Sequence, residues 1–301
     1  MRKLSFGMNT GCLINRYVEP ESWVPLVSRE FGLDCVQLTT ELIRPDLAWS
    51  VHQDLVRRIL AQGRIHGVQV LEVFTDAFSR VNHLAHPIPA VRAHWLQWMK
   101  RAVEIAAELG AESFGSHLAI LTAEDCADPA RKEEKTNLAI EGWHELARHG
   151  RKVGLKFLTW EPMSIRREFG ESLSEAAYLQ SKLNAGTELP IYLCYDVDHG
   201  DISSLDARDT DPYQWMEKFK ESIGSIHLKQ VGKNKEGHRP FIAEFNQTGR
   251  IEAGAFMQAV SHLTQTPRLF LELSFREREP ADSLLVQQVR ASVDYWRPFL
   301  K

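Results

Sequence analysis

Short apolar runs alternate with longer stretches of helical periodicity along the whole chain. The runs are Leu4–Asn9, Cys35–Leu38, Val68–Phe74, Ser113–Ser116, Lys156–Glu161, Ile191–Asp196, Ser225–Leu228 and Leu269–Leu273. Between and after them, helical spacing covers Glu21–Phe31, Val51–His66, Pro89–Leu109, Arg131–Val153, Leu173–Leu183, Pro212–Ser222, Ala253–Leu263 and Asp282–Tyr295. In the third of these helices Leu96, Met99, Val103, Ala106 and Leu109 share one face, the stripe expected of a helix packed on a core. The strand runs are near-continuously apolar, as in parallel sheets covered on both sides. Gly32, Gly110 and Gly154 stand where a helix hands over to a strand, a natural C-cap position.

Strict alternation of strand and helix leaves two architectures, a closed barrel and a doubly wound sheet. The dinucleotide-binding Gly-x-Gly-x-x-Gly turn is absent after the first strand, which removes the main support for the second. The pattern therefore predicts an α/β fold of the (β/α)8 type, a TIM barrel, with residues 1–301 as one domain. The 301 residues, 44% of them hydrophobic, are an ordinary size for such a barrel. Gly232–Arg250 is the longest irregular stretch. Its length suggests a lid or substrate loop.

In such barrels the chemistry sits at the C-terminal ends of the strands, so the polar residues there carry the functional reading. Strand five ends in Glu161 and strand six in Asp196, with His199 three residues on. Strand seven carries His227 and then Lys229, and strand eight carries Glu272. An unpaired buried carboxylate is strongly disfavoured, so acids and a histidine on four consecutive strands point to a shared metal. Two glutamates, an aspartate and a histidine form a hard, oxygen-rich set. It suits Mn2+ or Mg2+ first, with Co2+ or Zn2+ also compatible. Asn9 and Thr10, Gln37, Glu72 and His117 lie on or after strands one to four and face the same end. Asn82, His83 and His86 form a further cluster after strand three, read as loop packing or substrate contact.

Charge narrows the partners. The formal net charge of -4 lacks the basic excess of a nucleic-acid-binding domain. No stretch approaches the roughly 20 apolar residues of a membrane span, and the first ten residues hold no signal-like apolar run. The four cysteines are scattered without a Cys-x-x-Cys pair, as in reduced cytosolic proteins. The expectation is a cytoplasmic protein with a small-molecule substrate and no nucleic-acid or membrane partner; a homodimer or homotetramer is compatible with the sequence. There is no Gly-x-Ser-x-Gly, Walker loop or His-Glu-x-x-His.

With Glu161, Asp196–His199, His227 and Glu272 in this order on strands five to eight, the chain resembles the xylose-isomerase-like TIM-barrel superfamily. That group includes ketose 3-epimerases, inosose dehydratases and endonuclease IV. A narrower likeness is to the tetrulose-4-phosphate racemases of bacterial erythritol catabolism. It rests on Phe6–Gly11, Ala77–His83, Gly115–His117, Glu161–Ser164 and Ser292–Pro298. The resemblance implies one divalent metal held by Glu161, Asp196, His227 and Glu272. Glu161 and Glu272 would also move a proton at the carbon beside a ketone, with Asn9, His117, His199, Lys229 and Arg276 contacting the substrate. The ketose 3-epimerases carry an Arg shortly after the strand-seven His, where this chain has Lys229, Gln230 and Lys233. That departure favours a phosphorylated substrate over a free ketohexose. Arg16, Arg80, Lys229, Lys233, Arg239 and Arg276 are the phosphate-binding candidates, Lys229 and Arg276 foremost. A free-ketose 3-epimerase and an inosose-type dehydratase are the rival readings on the same metal site. The acidic balance argues against an endonuclease-IV-like enzyme.

Overall fold

The computed structural model describes residues 4–232, 237–275 and 282–300. Eight parallel strands close into a barrel in chain order: β1 Ser5–Asn9, β2 Cys35–Thr39, β3 Gln69–Phe74, β4 Ser113–His117, β5 Phe157–Glu161, β6 Ile191–Asp196, β7 Ile223–Leu228 and β8 Arg268–Leu271. The outer layer consists chiefly of α1 Pro20–Pro25, α2 Trp49–His66, α3 Pro89–Glu108, α4 Ala123–Ala127, α5 Pro129–Val153, α6 Leu173–Asn184 and α7 Pro212–Lys218. It is completed by α8 Ala243–Asn246, α9 Ala253–Val260 and α10 Asp282–Trp296. The barrel expected from the alternation is the barrel observed.

Local chemistry sets several boundaries. α5 begins two residues before the expected Arg131, because Asp128 caps it by accepting from the Ala130 and Arg131 amides, with Pro129 at the first position. It ends at Gly154, whose φ of 96° few other residues adopt at low cost. Pro25 has no N–H to continue α1, and the chain goes on as a wider π-type turn over Leu26–Glu30. This replaces the single helix expected over Glu21–Phe31.

Two expectations are corrected by the sheet. The helix read as Pro212–Ser222 stops at Lys218. The Ser222 carbonyl accepts from Leu193 N at 2.7 Å and β7 starts at Ile223, so pairing with β6 takes the last helical residues. The run read as Leu269–Leu273 ends as a strand at Leu271. Glu272 still donates its amide to Leu228 O at 2.9 Å, which fixes its backbone against β7. Trp143 on α5 is fully buried and donates from Nε1 to Leu118 O at 3.0 Å, anchoring the segment just past β4. No helix among the described residues is long and apolar enough to cross a membrane.

Register places the site. Asp196 pairs with His227, and His117 with Glu161, so these four stand at one end of the barrel. Side chains alternate along a strand; His227 and Lys229 therefore face inward together. At the opposite end β1 comes so near β2 that a Cβ on Gly7 would lie 2.3 Å from the Cys35 carbonyl oxygen. Backbone cannot yield there as a side chain would. Gly7→Ala should therefore destabilise the fold by about 1–3 kcal/mol, the usual cost of overpacking, visible as a lower midpoint in thermal unfolding.

Candidate active site

At the C-terminal mouth, ligand atoms of Glu161, Asp196, His227 and Glu272 all lie within 4.8 Å of one another. The structure thus brings together the four residues that the sequence singled out. His227 Nδ1 stands 3.1 Å from Glu161 Oε1 and 3.4 Å from Glu272 Oε2. Three carboxylates and one imidazole crowded in this way fit a hard divalent cation.

The other face of His227 explains its orientation. Its Nε2 is 2.7 Å from Gln37 Oε1, and the same oxygen accepts from Asn9 Nδ2 at 2.7 Å. Gln37 Nε2 donates to Glu72 Oε2 at 2.8 Å. Glu72 also accepts from Ser113 at 3.1 Å and Thr159 at 2.5 Å. With the Gln37 amide turned this way, Nε2 of His227 donates to it. Nδ1 faces Glu161 and Glu272, and despite burial the surrounding groups raise the ring's pKa well above the ordinary histidine value; a bound cation would take the place of the Nδ1 proton. Hydrogen bonds of this kind behind a metal-binding histidine set its tautomer and ring angle.

Lys229 is fully buried beneath the same acids. Its ammonium binds Asp196 at 2.5 Å, touches Glu272 and lies 2.9 Å from His238 Nε2. Burial works against its charge, but Asp196 and Glu272 outweigh burial and raise its pKa above the ordinary lysine value. The acids respond in kind. Burial alone would raise Asp196, yet His199 and Lys229 hold it far below the usual carboxylate range. Glu272 is likewise lowered, with His227 and Lys229 overcoming burial. The Lys229 charge, followed by burial, pushes His238 down to about 4, so its ring is neutral at neutral pH.

A cavity of about 120 Å³ opens above these groups. Thr75, Asp76, Arg80, His117, Met163, His199 and His238 line it together with Glu161, Asp196 and Glu272. His199 donates from Nδ1 to Pro162 O at 2.8 Å, which turns its Nε2 to within 3.3 Å of Asp196. His117 faces Val81 O through Nε2 at 3.2 Å, and burial lowers its pKa to about 4. Both histidines, expected to contact the substrate, line this cavity. Asn9 and Lys229 do not line the cavity. Asn9 is spent on Gln37 and on capping Gly11 N at 2.7 Å, and Lys229 is enclosed by acids. Both lie behind the wall rather than at its surface. Arg276 falls outside the described residues, as does Lys233.

In the segment after β3, His83 is buried against His117 with ring centroids 4.3 Å apart, and Asn82 donates to Ile120 O at 2.8 Å. His86 instead accepts from Ile88 N at 3.1 Å. The Asn82–His86 cluster packs the loop and does not join the four ligands. The sequence reading passed over Asp76, whose carboxyl is pushed up to about 7 by burial, then by Glu272 and Glu41. Its signal was a single acid two residues past β3. It also left Gln37 without a role, although a glutamine within an apolar strand is the kind of residue that needs one.

Replacing Gln37 tests the tautomer argument. Gln37→Met keeps the length of the side chain and removes the acceptor. Affinity for a divalent ion, read by competition with a chromophoric chelator, should fall about 10–100-fold. Unchanged affinity would show that His227 needs no partner behind it.

The xylose isomerase-like TIM barrel model matches residues 26–297. The chain is 39% identical over 299 residues to a D-erythrulose 1-phosphate 3-epimerase of Brucella abortus, covering 99% of this chain and 96% of that one. Among solved structures, a putative xylose isomerase from Rhodospirillum rubrum superposes with a TM-score of 0.88 at 25% identity, covering 98% of this chain and 99% of that one. A D-psicose 3-epimerase from Clostridium cellulolyticum shares the fold, with a TM-score of 0.74 at 13% identity over 99% and 100% of the two chains. By the extent of the family match and the full-length likeness, this chain belongs to the xylose isomerase-like TIM-barrel family.

Proposed function

We propose that the protein is a divalent-metal-dependent epimerase that inverts C3 of a four-carbon ketose phosphate. The observation that carries this reading is the convergence of Glu161 and Glu272 on His227 Nδ1, within one four-residue ligand cluster. The cavity supports it: about 120 Å³ is small beside the roughly 300–1,000 Å³ of drug-sized sites and suits a short substrate. The 39% identical relative is named for D-erythrulose 1-phosphate. The sequence resemblance implied a 4-phosphate; we adopt the 1-phosphate of that relative as the first substrate to assay. Mn2+ is the first choice of ion and Mg2+ the second, on the hardness of the donor set. The proposed compartment is the cytoplasm, in keeping with four scattered cysteines that form no Cys-x-x-Cys pair.

Glu161, Asp196, His227 and Glu272 would hold the ion. When bound, it supplies Lewis-acid polarisation of a ketone and its neighbouring hydroxyl. Glu272 is kept ionised by His227 and Lys229 against the effect of burial, so it can accept the C3 proton on one face of the substrate. Glu161 delivers a proton to the opposite face. For the other enantiomer the two exchange duties. C3 is the sole stereocentre of a tetrulose, so inversion there is racemisation. His199 and His238 border the acids and can hold the substrate hydroxyls, and the small cavity limits water around the reacting carbon.

Metal removal gives the first check. The purified protein should hold about one equivalent of divalent ion by elemental analysis, and chelation should abolish turnover until the ion is restored. Full activity in metal-free protein would refute the mechanism. Proton traffic gives the second: turnover in D2O should place deuterium at C3, and Glu272→Gln should lower kcat by about 10²–10⁴-fold, the usual worth of a general base. A Glu272→Gln variant with near-normal activity would remove Glu272 from this role.

A further inference from the structure

A phosphorylated substrate requires a cation that is both within reach of the metal cluster and not already committed. Most of the basic residues near the mouth fail one condition. Arg16 binds Asp282 and the carbonyls of Cys12 and Phe275. Lys229 is enclosed by Asp196, Glu272 and His238. Arg239 lies over the Phe245 ring, its guanidinium carbon 4.7 Å from the centroid. Arg250 donates to Thr210 O at 2.7 Å. Among the described residues lining the cavity, Arg80 is the one arginine or lysine.

The surroundings of Arg80 hold it in a set position. It follows the short turn Ala77–Ser79 after β3. His117 on Val81 O and Asn82 on Ile120 O tie the next two residues to the segment around the end of β4. One edge of the guanidinium is taken: Nη2 donates to Glu168, which lies beyond β5 and is 6% exposed. The Arg80 side chain is itself 43% exposed. Its Nε and Nη1 donate to no described residue, and Nη2 carries a second hydrogen beside the one given to Glu168, so one of the two paired N–H edges stays open on a side chain that lines the cavity. A planar guanidinium fixed on one side and open on the other matches the paired-oxygen geometry of a phosphate.

Resting on the proposed function, we infer that Arg80 binds the substrate's phosphomonoester and that Glu168 is the positioning residue that aims it. The polyol end then lies over Glu161 and Glu272, and the phosphate points to the side of the mouth between β3 and β5. The ligand class is a phosphomonoester dianion, and inorganic phosphate is its simplest probe.

The test compares wild type with Arg80→Met, Arg80→Lys and Glu168→Gln in the metal-loaded enzyme. The ratio of kcat/KM for erythrulose 1-phosphate over erythrulose should fall about 10- to 100-fold in Arg80→Met, the worth of one to two charge-assisted hydrogen bonds. Arg80→Lys should restore part of that ratio, and added guanidinium ion should restore part of it in Arg80→Met. Glu168→Gln should raise KM for the phosphorylated substrate with little change in kcat. Calorimetric titration of inorganic phosphate should show binding weakened by a similar factor in Arg80→Met. Equal losses on both substrates, or equal phosphate affinity in wild type and Arg80→Met, would overturn the assignment. A wild-type enzyme that prefers free erythrulose would instead refute the substrate reading, and the phosphate titration would still decide Arg80 by itself.

Discussion

Three carboxylates meet at the mouth of this barrel, and their mutual repulsion is the constraint around which the site is built. Glu161, Asp196 and Glu272 lie with His227 inside a sphere of a few ångströms, three of the four fully or nearly fully buried. Such a concentration of negative charge persists only with compensating cations. Lys229 supplies one from below.

The demand for order continues down the barrel axis. TIM-barrel interiors are usually layers of branched apolar side chains. Here a polar column runs from His227 through Gln37 to Glu72, then through Ser113 to Arg268, which also binds Glu112 near the floor. Every member named has a partner, and that condition makes a buried network rigidifying rather than costly. The column connects the tautomer of one metal-facing histidine to the packing of the whole barrel. Glu72 thus joins the two halves of the column: it accepts from Gln37 on the side of the site and from Ser113, which Arg268 meets, on the side of the floor.

Cavity size alone would have misdirected the functional reading. A larger cavity, of about 490 Å³, lies near the ends of β1 to β3 and is lined by Trp95, Trp98, Phe78, Glu41 and Arg44. It contains none of the four ligands. The smaller cavity holds the convergent acids, three histidines and Arg80. Reaction chemistry follows the side chains that can hold an ion and move a proton, and these define the site where volume does not.

The alternation of periods two and 3.6 was readable along the chain, because each element's buried face is written in its own residues. For the same reason the acids and the histidine at the ends of β5 to β8 could be picked out: in a barrel of parallel strands, strand ends share one mouth. Distance across the barrel was not readable, since register and closure join residues far apart in sequence. Asn9 ends a strand as Glu161 does, but pairing with β2 turns it onto Gln37. Lys229 looked like a phosphate ligand until its position two residues past His227 placed it inside, under the acids. Arg80 was one of six cationic candidates in the sequence, and Glu168, 88 residues away, holds it at the cavity. What the sequence determined by itself were the elements and the end at which chemistry occurs. Which polar groups touch the substrate and which support them was decided by tertiary contacts, because burial and hydrogen-bond partners belong to the closed barrel and to no segment of it.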